Sequence, residues 1–169
     1  MRDPLILVVD DQESQRLLTA ESLLHSGFSV LESACGVDAL KQFETAALDA
    51  IVLDVVMPGL SGFEVCSLIR DMPLGKHIPI MMISACDDDE AITTAFEAGS
   101  TVFIAKPINP LILKQRMRYM LRSTQAVDAM RRSEMILGHA EQMALTGSWE
   151  WDCQDHLLNW TSGLRCLFD

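Results

Sequence analysis

The sequence predicts an α/β fold: a five-stranded, doubly wound parallel sheet, followed by a helical extension and a short β segment. Three observations carry this. Apolar, β-branched runs recur at steady spacing, at Leu5–Val9, Phe28–Leu31, Ala50–Leu53, Ile78–Ile83 and Thr101–Ile104. Amphipathic helical patterns fill the gaps between them. After residue 121 both patterns stop, and a long run of good helix formers begins. Strands that alternate with helices build parallel sheets through crossovers, with helices on both faces.

The first, third and fourth runs have no polar alternation. They are expected to be strands buried on both faces. In the first helix Leu17, Leu18 and Leu24 mark the apolar face, and Gly27 is a fitting stop. Leu40, Phe43 and Ala47 mark the second helix, and Val65, Leu68 and Ile69 the third. Ile92, Ala95 and Phe96 mark the fourth, which ends at Gly99. The fifth starts near Asn109, a suitable N-cap, with Pro110 at the first helical position.

The chain has 169 residues, 49% hydrophobic and 22% charged, enough to bury a core. Its 24 acidic and 13 basic residues give a net charge of −11. Such a chain repels phosphate backbones and anionic lipids, so neither nucleic acid nor membrane is expected as a partner. Acidic clusters point instead to divalent cations. The longest apolar runs are too short for a spanning helix or a signal-peptide core. Five cysteines without a C-x-x-C pair fit reduced thiols and a cytoplasmic location.

In doubly wound sheets the working site lies beyond the carboxyl ends of the strands. There the sequence places Asp10 and Asp11, then Asp54, Ser84 and Lys106. Three converging carboxylates repel one another. A hard cation such as Mg²⁺ relieves this, because it takes oxygen ligands and keeps some waters. Lys106 and the Ser84 hydroxyl would neutralise charge on a phosphoryl group in flight. Asp54 is the natural nucleophile, on the central strand between the acid pair and the Ser/Lys pair. The structural alternative is a buried ion-pair network without chemistry, which the cost of burying three acids with one lysine disfavours.

These residues resemble those of a known family. Asp10-Asp11 after Leu-Val-Val, Asp54 in Leu-Asp-Val-Val-Met-Pro-Gly, Ser84-Ala85 after an apolar strand, and Lys106-Pro107 after Phe103 are similar to bacterial two-component response regulator receiver domains. The resemblance covers about residues 4 to 121 and sets a receiver domain at residues 1–121. It implies a flavodoxin-like sheet of order 2-1-3-4-5, with Asp54 as phosphoacceptor. It further implies that Asp11, Asp54 and the Val56 carbonyl bind Mg²⁺ directly and Asp10 binds through water. Ser84 and Phe103 would form a switch pair, Lys106 would contact the phosphoryl group, and Lys106-Pro107 would be cis. The partner would be a sensor histidine kinase or phosphotransfer protein. By the same analogy Val56 and Cys86 flank the hydrolytic water. Neither positions it well, so a long-lived phosphorylated state is expected. The chain would then be a phosphoacceptor rather than a turnover enzyme.

Other residues support plainer readings. Met57-Pro58-Gly59 reads as a turn, and Asp87 to Glu90 as acids favouring the start of the fourth helix. His139, Cys153, His156 and Cys166 lack zinc-like spacing, and Asn159-Trp-Thr161 is a sequon without consequence in a cytoplasmic protein. Residues 122–144 form a helical, coiled-coil-like linker. Met120, Val127, Met130, Leu137 and Ala144 form its stripe, interrupted by Ser123, Glu134 and Glu141. The expectation is a homodimer through the fifth helix and linker, burying Met120, Val127 and Met130. Residues 145–169 hold all three tryptophans, and Gly147-Ser-Trp-Glu-Trp-Asp with Leu158-Asn-Trp-Thr-Ser resembles the start of a PAS domain, truncated here. The whole is similar to receiver–PAS–GGDEF–EAL proteins, which turn over cyclic di-GMP; hybrid histidine kinases carry similar joints. Two other readings fit less well. A haloacid-dehalogenase-like, Mg²⁺-dependent phosphatase needs a second Asp where Val56 stands. A flavodoxin-like redox protein needs Ser/Thr where Asp10-Asp11-Gln12-Glu13 stands.

Overall fold

The structure, a computed structural model, describes residues 2–85, 89–144, 149–152, 155 and 157–160. Two compact units divide at Thr124 and Gln125. The first contains β1 (Leu5–Val9), α1 (Glu13–Leu24), β2 (Ser29–Ser33), α2 (Gly36–Thr45), β3 (Ala50–Asp54), α3 (Gly62–Asp71), β4 (Ile80–Ser84), α4 (Asp89–Glu97), β5 (Val102–Ala105) and the start of α5 (Pro110–Ala144). All strand pairings are parallel, in the order β2-β1-β3-β4-β5. That is the expected order.

Side chains alternate across the sheet and build two cores. On one face Leu7, Val9, Ile51, Leu53, Ile80 and Met82 pack with residues of α2, α3 and α4. On the other, Ile6, Val8, Val52, Met81 and Ile83 pack with Leu23 of α1 and with Leu113, Met117 and Met120 of α5. The central strands β3 and β4 are buried throughout, and β1 nearly so, as their unbroken apolar runs require. The edge strands β2 and β5 are mostly half-buried.

Several expectations change. β2, β4 and β5 each start one or two residues later than expected, and β4 reaches Ser84. In α1 the buried residues are Thr19, Ala20 and Leu23, while Leu17, Leu18 and Leu24 are exposed. The small Thr19 and Ala20 are buried beside Leu23, and the other three leucines are left outside. Ala47 lies beyond the end of α2 and is exposed, as are Leu68 and Phe96. Met120 is 1% exposed inside its own domain's core, so it is not available to a dimer seam.

Local chemistry sets the element ends. Ser61 and Glu64 form a reciprocal capping box that starts α3. The Asn109 carboxamide oxygen accepts from the backbone N–H of Leu111 at 2.9 Å, as its N-cap reading requires. Gly27 and Gly99 take positive φ just after α1 and α4. Arg70 was not singled out in the sequence. Its guanidinium donates to the carbonyls of Gly99, Gly75 and Ile78 at 2.8, 2.6 and 2.8 Å, tying α3 to the lower ends of β4 and β5.

In the second unit β6 (Trp149–Asp152) and β7 (Leu157–Trp160) pair as an antiparallel hairpin, Trp149 opposite Trp160. Cys86, Asp87, Asp88, Cys153, His156, Thr161 and Cys166, named above, lie outside the described residues.

Candidate functional site

The carboxyl ends of β1, β3, β4 and β5 bring the expected residues together. β1 ends at Val9, so Asp10 and Asp11 open the loop to α1. β3 ends on Asp54 itself. Oxygens of Asp10, Asp11 and Asp54 lie within 4.8 Å of one another. The Lys106 ammonium reaches into this cluster, 3.1 Å from Asp10 Oδ2 and 3.1 Å from Asp54 Oδ1. The backbone N–H of Lys106 donates to the Ser84 carbonyl at 2.7 Å, which fixes the β5 end against β4. Ser84 is fully buried.

The three acids are not equivalent. Asp10 is well satisfied: Oδ1 accepts from the Gln12 N–H at 2.8 Å and Oδ2 from Lys106. Asp11 Oδ1 is buried and has no hydrogen-bond partner among the described residues. A buried carboxylate oxygen without a donor is costly, and here it borders two other acids. Burial pushes the Asp54 carboxyl above its ordinary value, against the pull of Lys106. Among the described residues one cation faces these three carboxylates, so the cluster is short of positive charge. The donor set is all oxygen, which suits Mg²⁺ or another hard cation.

The frame around Asp54 is rigid. Val55 N–H donates to the Ile83 carbonyl at 2.9 Å, and Gly62 N–H donates to the Val55 carbonyl at 2.9 Å. These bonds tie the residue after Asp54 to β4 and to the first residue of α3. The Val56 side chain is 61% exposed at the rim. Phe103 on β5 is half-buried against the α2–α4 core. The Lys106-Pro107 bond is cis. Met57-Pro58-Gly59 bends away, with Gly59 at φ +81°.

Arg16 also belongs to this frame and was not anticipated. It donates to the Asp10 carbonyl at 2.8 Å and to Glu32 at 3.3 Å, bracing the β1–α1 loop against β2. Its place in the first turns of α1, after the acid pair, was the available signal. Beside the site, a groove of about 590 Å³ runs between α1 and the loop after β5, lined by Gln15, Leu18, Thr19, Lys106, Pro107 and Leu113. No helix among the described residues is long and apolar enough to cross a membrane.

This sheet order agrees with what comparison with known proteins finds. Residues 6–118 match the response regulator receiver domain, and the chain belongs to that family. The alkaline phosphatase synthesis transcriptional regulatory protein PhoP of Bacillus subtilis is 38% identical over 120 residues, covering 71% of this chain and 49% of PhoP. The response regulator PleD of Caulobacter vibrioides is 36% identical over 129 residues, covering 76% of this chain and 28% of PleD. The chain therefore spans half or less of these relatives. Among solved structures, a putative response regulator from Chloroflexus aurantiacus superposes with a TM-score of 0.69 at 34% identity, covering 71% of this chain and 98% of that one. Chemotaxis protein CheY4 of Vibrio cholerae gives a TM-score of 0.68 at 30% identity, covering 70% and 98%.

Proposed function

We propose that this chain is a phosphoacceptor switch in which Asp54 takes a phosphoryl group from the phosphohistidine of a sensor histidine kinase or phosphotransfer protein. The carrying observation is the charge-deficient cluster: three acids within 4.8 Å, one lysine shared by two of them, and a buried Asp11 oxygen with no donor among the described residues. Asp11, Asp54 and the Val56 carbonyl would hold Mg²⁺, with Asp10 acting through water. The ion would supply charge neutralisation for the incoming phosphoryl oxygens.

An Asp54 carboxylate oxygen attacks phosphorus, and the bond from phosphorus to the donor's imidazole nitrogen breaks. The electron pair stays on the imidazole. Lys106 neutralises the transferred group, and Ser84 donates its hydroxyl to it. Movement of Ser84 and Phe103 then carries the change to β5 and α5. The exposed Leu18 and the adjoining groove give a donor protein an apolar approach that ends at Lys106.

The reading extends to a cytoplasmic protein. In it, α5 continues as a dimeric linker into a PAS domain that begins at residue 145, with output in cyclic di-GMP turnover through GGDEF and EAL domains. The Trp149–Trp160 hairpin supports the PAS part. A hybrid histidine kinase receiver is the other assembly this joint would suit. The test is incubation with Mg²⁺ and acetyl phosphate, followed by intact mass. The expected result is a gain of one phosphoryl group in the wild type and none in Asp54→Asn. A gain in Asp54→Asn would overturn the reading.

A further inference from the structure

The backbone of Asp10 is held on both sides. Its N–H donates to the Ser33 carbonyl at the end of β2, at 3.2 Å. Its carbonyl accepts from Arg16 Nη1 at 2.8 Å. That carbonyl and the Asp11 N–H share one planar peptide unit. Fixing the oxygen therefore fixes the plane, and with it the Cα from which the Asp11 side chain departs. Asp11 Oδ1 is buried and has no hydrogen-bond partner among the described residues. Its place is thus set by the backbone that leads into it. The guanidinium is aimed in turn by Glu32 of β2, which accepts from Arg16 Nε at 3.3 Å. A planar fork serves a carbonyl and a carboxylate at once, which a lysine ammonium does not do in the same geometry.

We infer that Arg16 is a positioning residue for the cation site: by holding the Asp10 carbonyl it sets where Asp11 stands relative to Asp54, a role that rests on the Mg²⁺ site proposed above. Groups that orient metal ligands without touching the metal contribute to its affinity through geometry. The charge of Arg16 works the other way, since an unpaired guanidinium repels a divalent ion. Glu32 cancels that charge, so the pair orients the acids without opposing the ion. The sign of the effect therefore separates two roles. Acting by charge alone, Arg16 would tighten Mg²⁺ binding when removed. Acting by position, it weakens binding when removed.

The test uses the full chain and calorimetric titration with Mg²⁺, with circular dichroism to establish that each variant is folded. Arg16→Met combined with Glu32→Gln leaves the net charge unchanged, so it reads position alone. It should raise the Mg²⁺ dissociation constant about 10-fold, the low end of the cost of losing such an orienting group. Arg16→Lys keeps the charge without the fork and should fall between that variant and wild type; it carries the test if the double variant does not fold. With acetyl phosphate, the Mg²⁺ concentration for half-maximal phosphorylation should rise by the same factor, while the rate at saturating Mg²⁺ stays within about threefold of wild type. Arg70→Met, far from the site, should melt lower and keep its Mg²⁺ affinity. Unchanged or tighter Mg²⁺ binding in the folded Arg16 variants, or an equal loss in Arg70→Met, would overturn the assignment and leave the phosphoacceptor reading standing. A wild type that binds Mg²⁺ but takes no phosphoryl group would remove that reading, and the affinities would still decide the role of Arg16. A wild type that binds no Mg²⁺ would remove both.

Discussion

Gly62 offers a sharp perturbation of the site from outside it. It is the first residue of α3, and its N–H donates to the Val55 carbonyl. A Cβ added there would stand 2.8 Å from Val55 Cα and closer still to the Asp54 carbonyl oxygen. Both obstacles are backbone, so α3 and the Asp54–Val55 segment must separate by about 1 Å to reach ordinary contact. Such overpacking costs about 1–3 kcal/mol, or about 4–12 °C in Tm for a domain of this size. The displaced atoms belong to the phosphoacceptor and the residue before the Val56 carbonyl. A misplacement of about 1 Å in a reacting group costs up to about 100-fold in rate. Gly62→Ala should therefore melt lower and accept phosphoryl from acetyl phosphate about 10- to 100-fold more slowly, measured by intact mass at a temperature where it is folded. Gly75→Ala is the control: its Cβ would meet the Ile69 carbonyl, which also forces backbone to move but far from the site. It should lose stability and keep its phosphorylation rate. Equal slowing in both variants, or no slowing in Gly62→Ala, would refute the steric reasoning.

Three further outcomes follow from the site. Asp11→Ala should weaken Mg²⁺ binding at least 10-fold by calorimetry, because it removes a carboxylate whose buried oxygen has no other partner among the described residues; unchanged affinity would remove Asp11 from the ligand set. Burial raises the Asp54 carboxyl, so without metal the folded state binds this proton more tightly than the unfolded state. Its stability contribution is then greatest below the ordinary carboxylate range and is lost as pH rises to the raised value. In EDTA, Asp54→Asn should melt above wild type, by a margin that widens across that window and narrows when Mg²⁺ is added; a margin independent of pH would contradict this. Finally, phosphorylated wild type should decay slowly after donor removal, since the exposed Val56 side chain cannot hydrogen-bond a water. Val56→Asn should speed decay several-fold, and an unchanged rate would count against water positioning at this residue.

Much of the fold was legible because its signals are unambiguous. Leu5–Val9 has five consecutive apolar residues ended by two acids, and β1 occupies that span. Asn109-Pro110 states a helix start outright, and Asn109 caps it. Helix faces were less legible where small residues do the packing. Ala20 and Thr19 are buried while Leu17 and Leu18 are exposed, so bulk was a poor guide in α1. Met120 shows the same limit: its spacing to Val127 fits a heptad, but the receiver's own core already holds it. The five strand-end residues of the site were readable from order alone, because a parallel sheet collects strand ends at one edge. Arg70 was not, because it bonds to backbone carbonyls, and carbonyl partners leave no trace in residue identity; for Arg16, which bonds the Asp10 carbonyl and Glu32, only its place after the acid pair was a signal.

The most direct measurement is where the phosphoryl group goes. The full chain, treated with Mg²⁺ and acetyl phosphate, is reduced with borohydride, which converts an aspartyl phosphate to homoserine, and peptides are mapped by mass. Homoserine at position 54, with Asp10 and Asp11 unmodified and no conversion when EDTA replaces Mg²⁺, is the predicted result. Homoserine at position 10 or 11, or conversion at position 54 that is indifferent to EDTA, would contradict it.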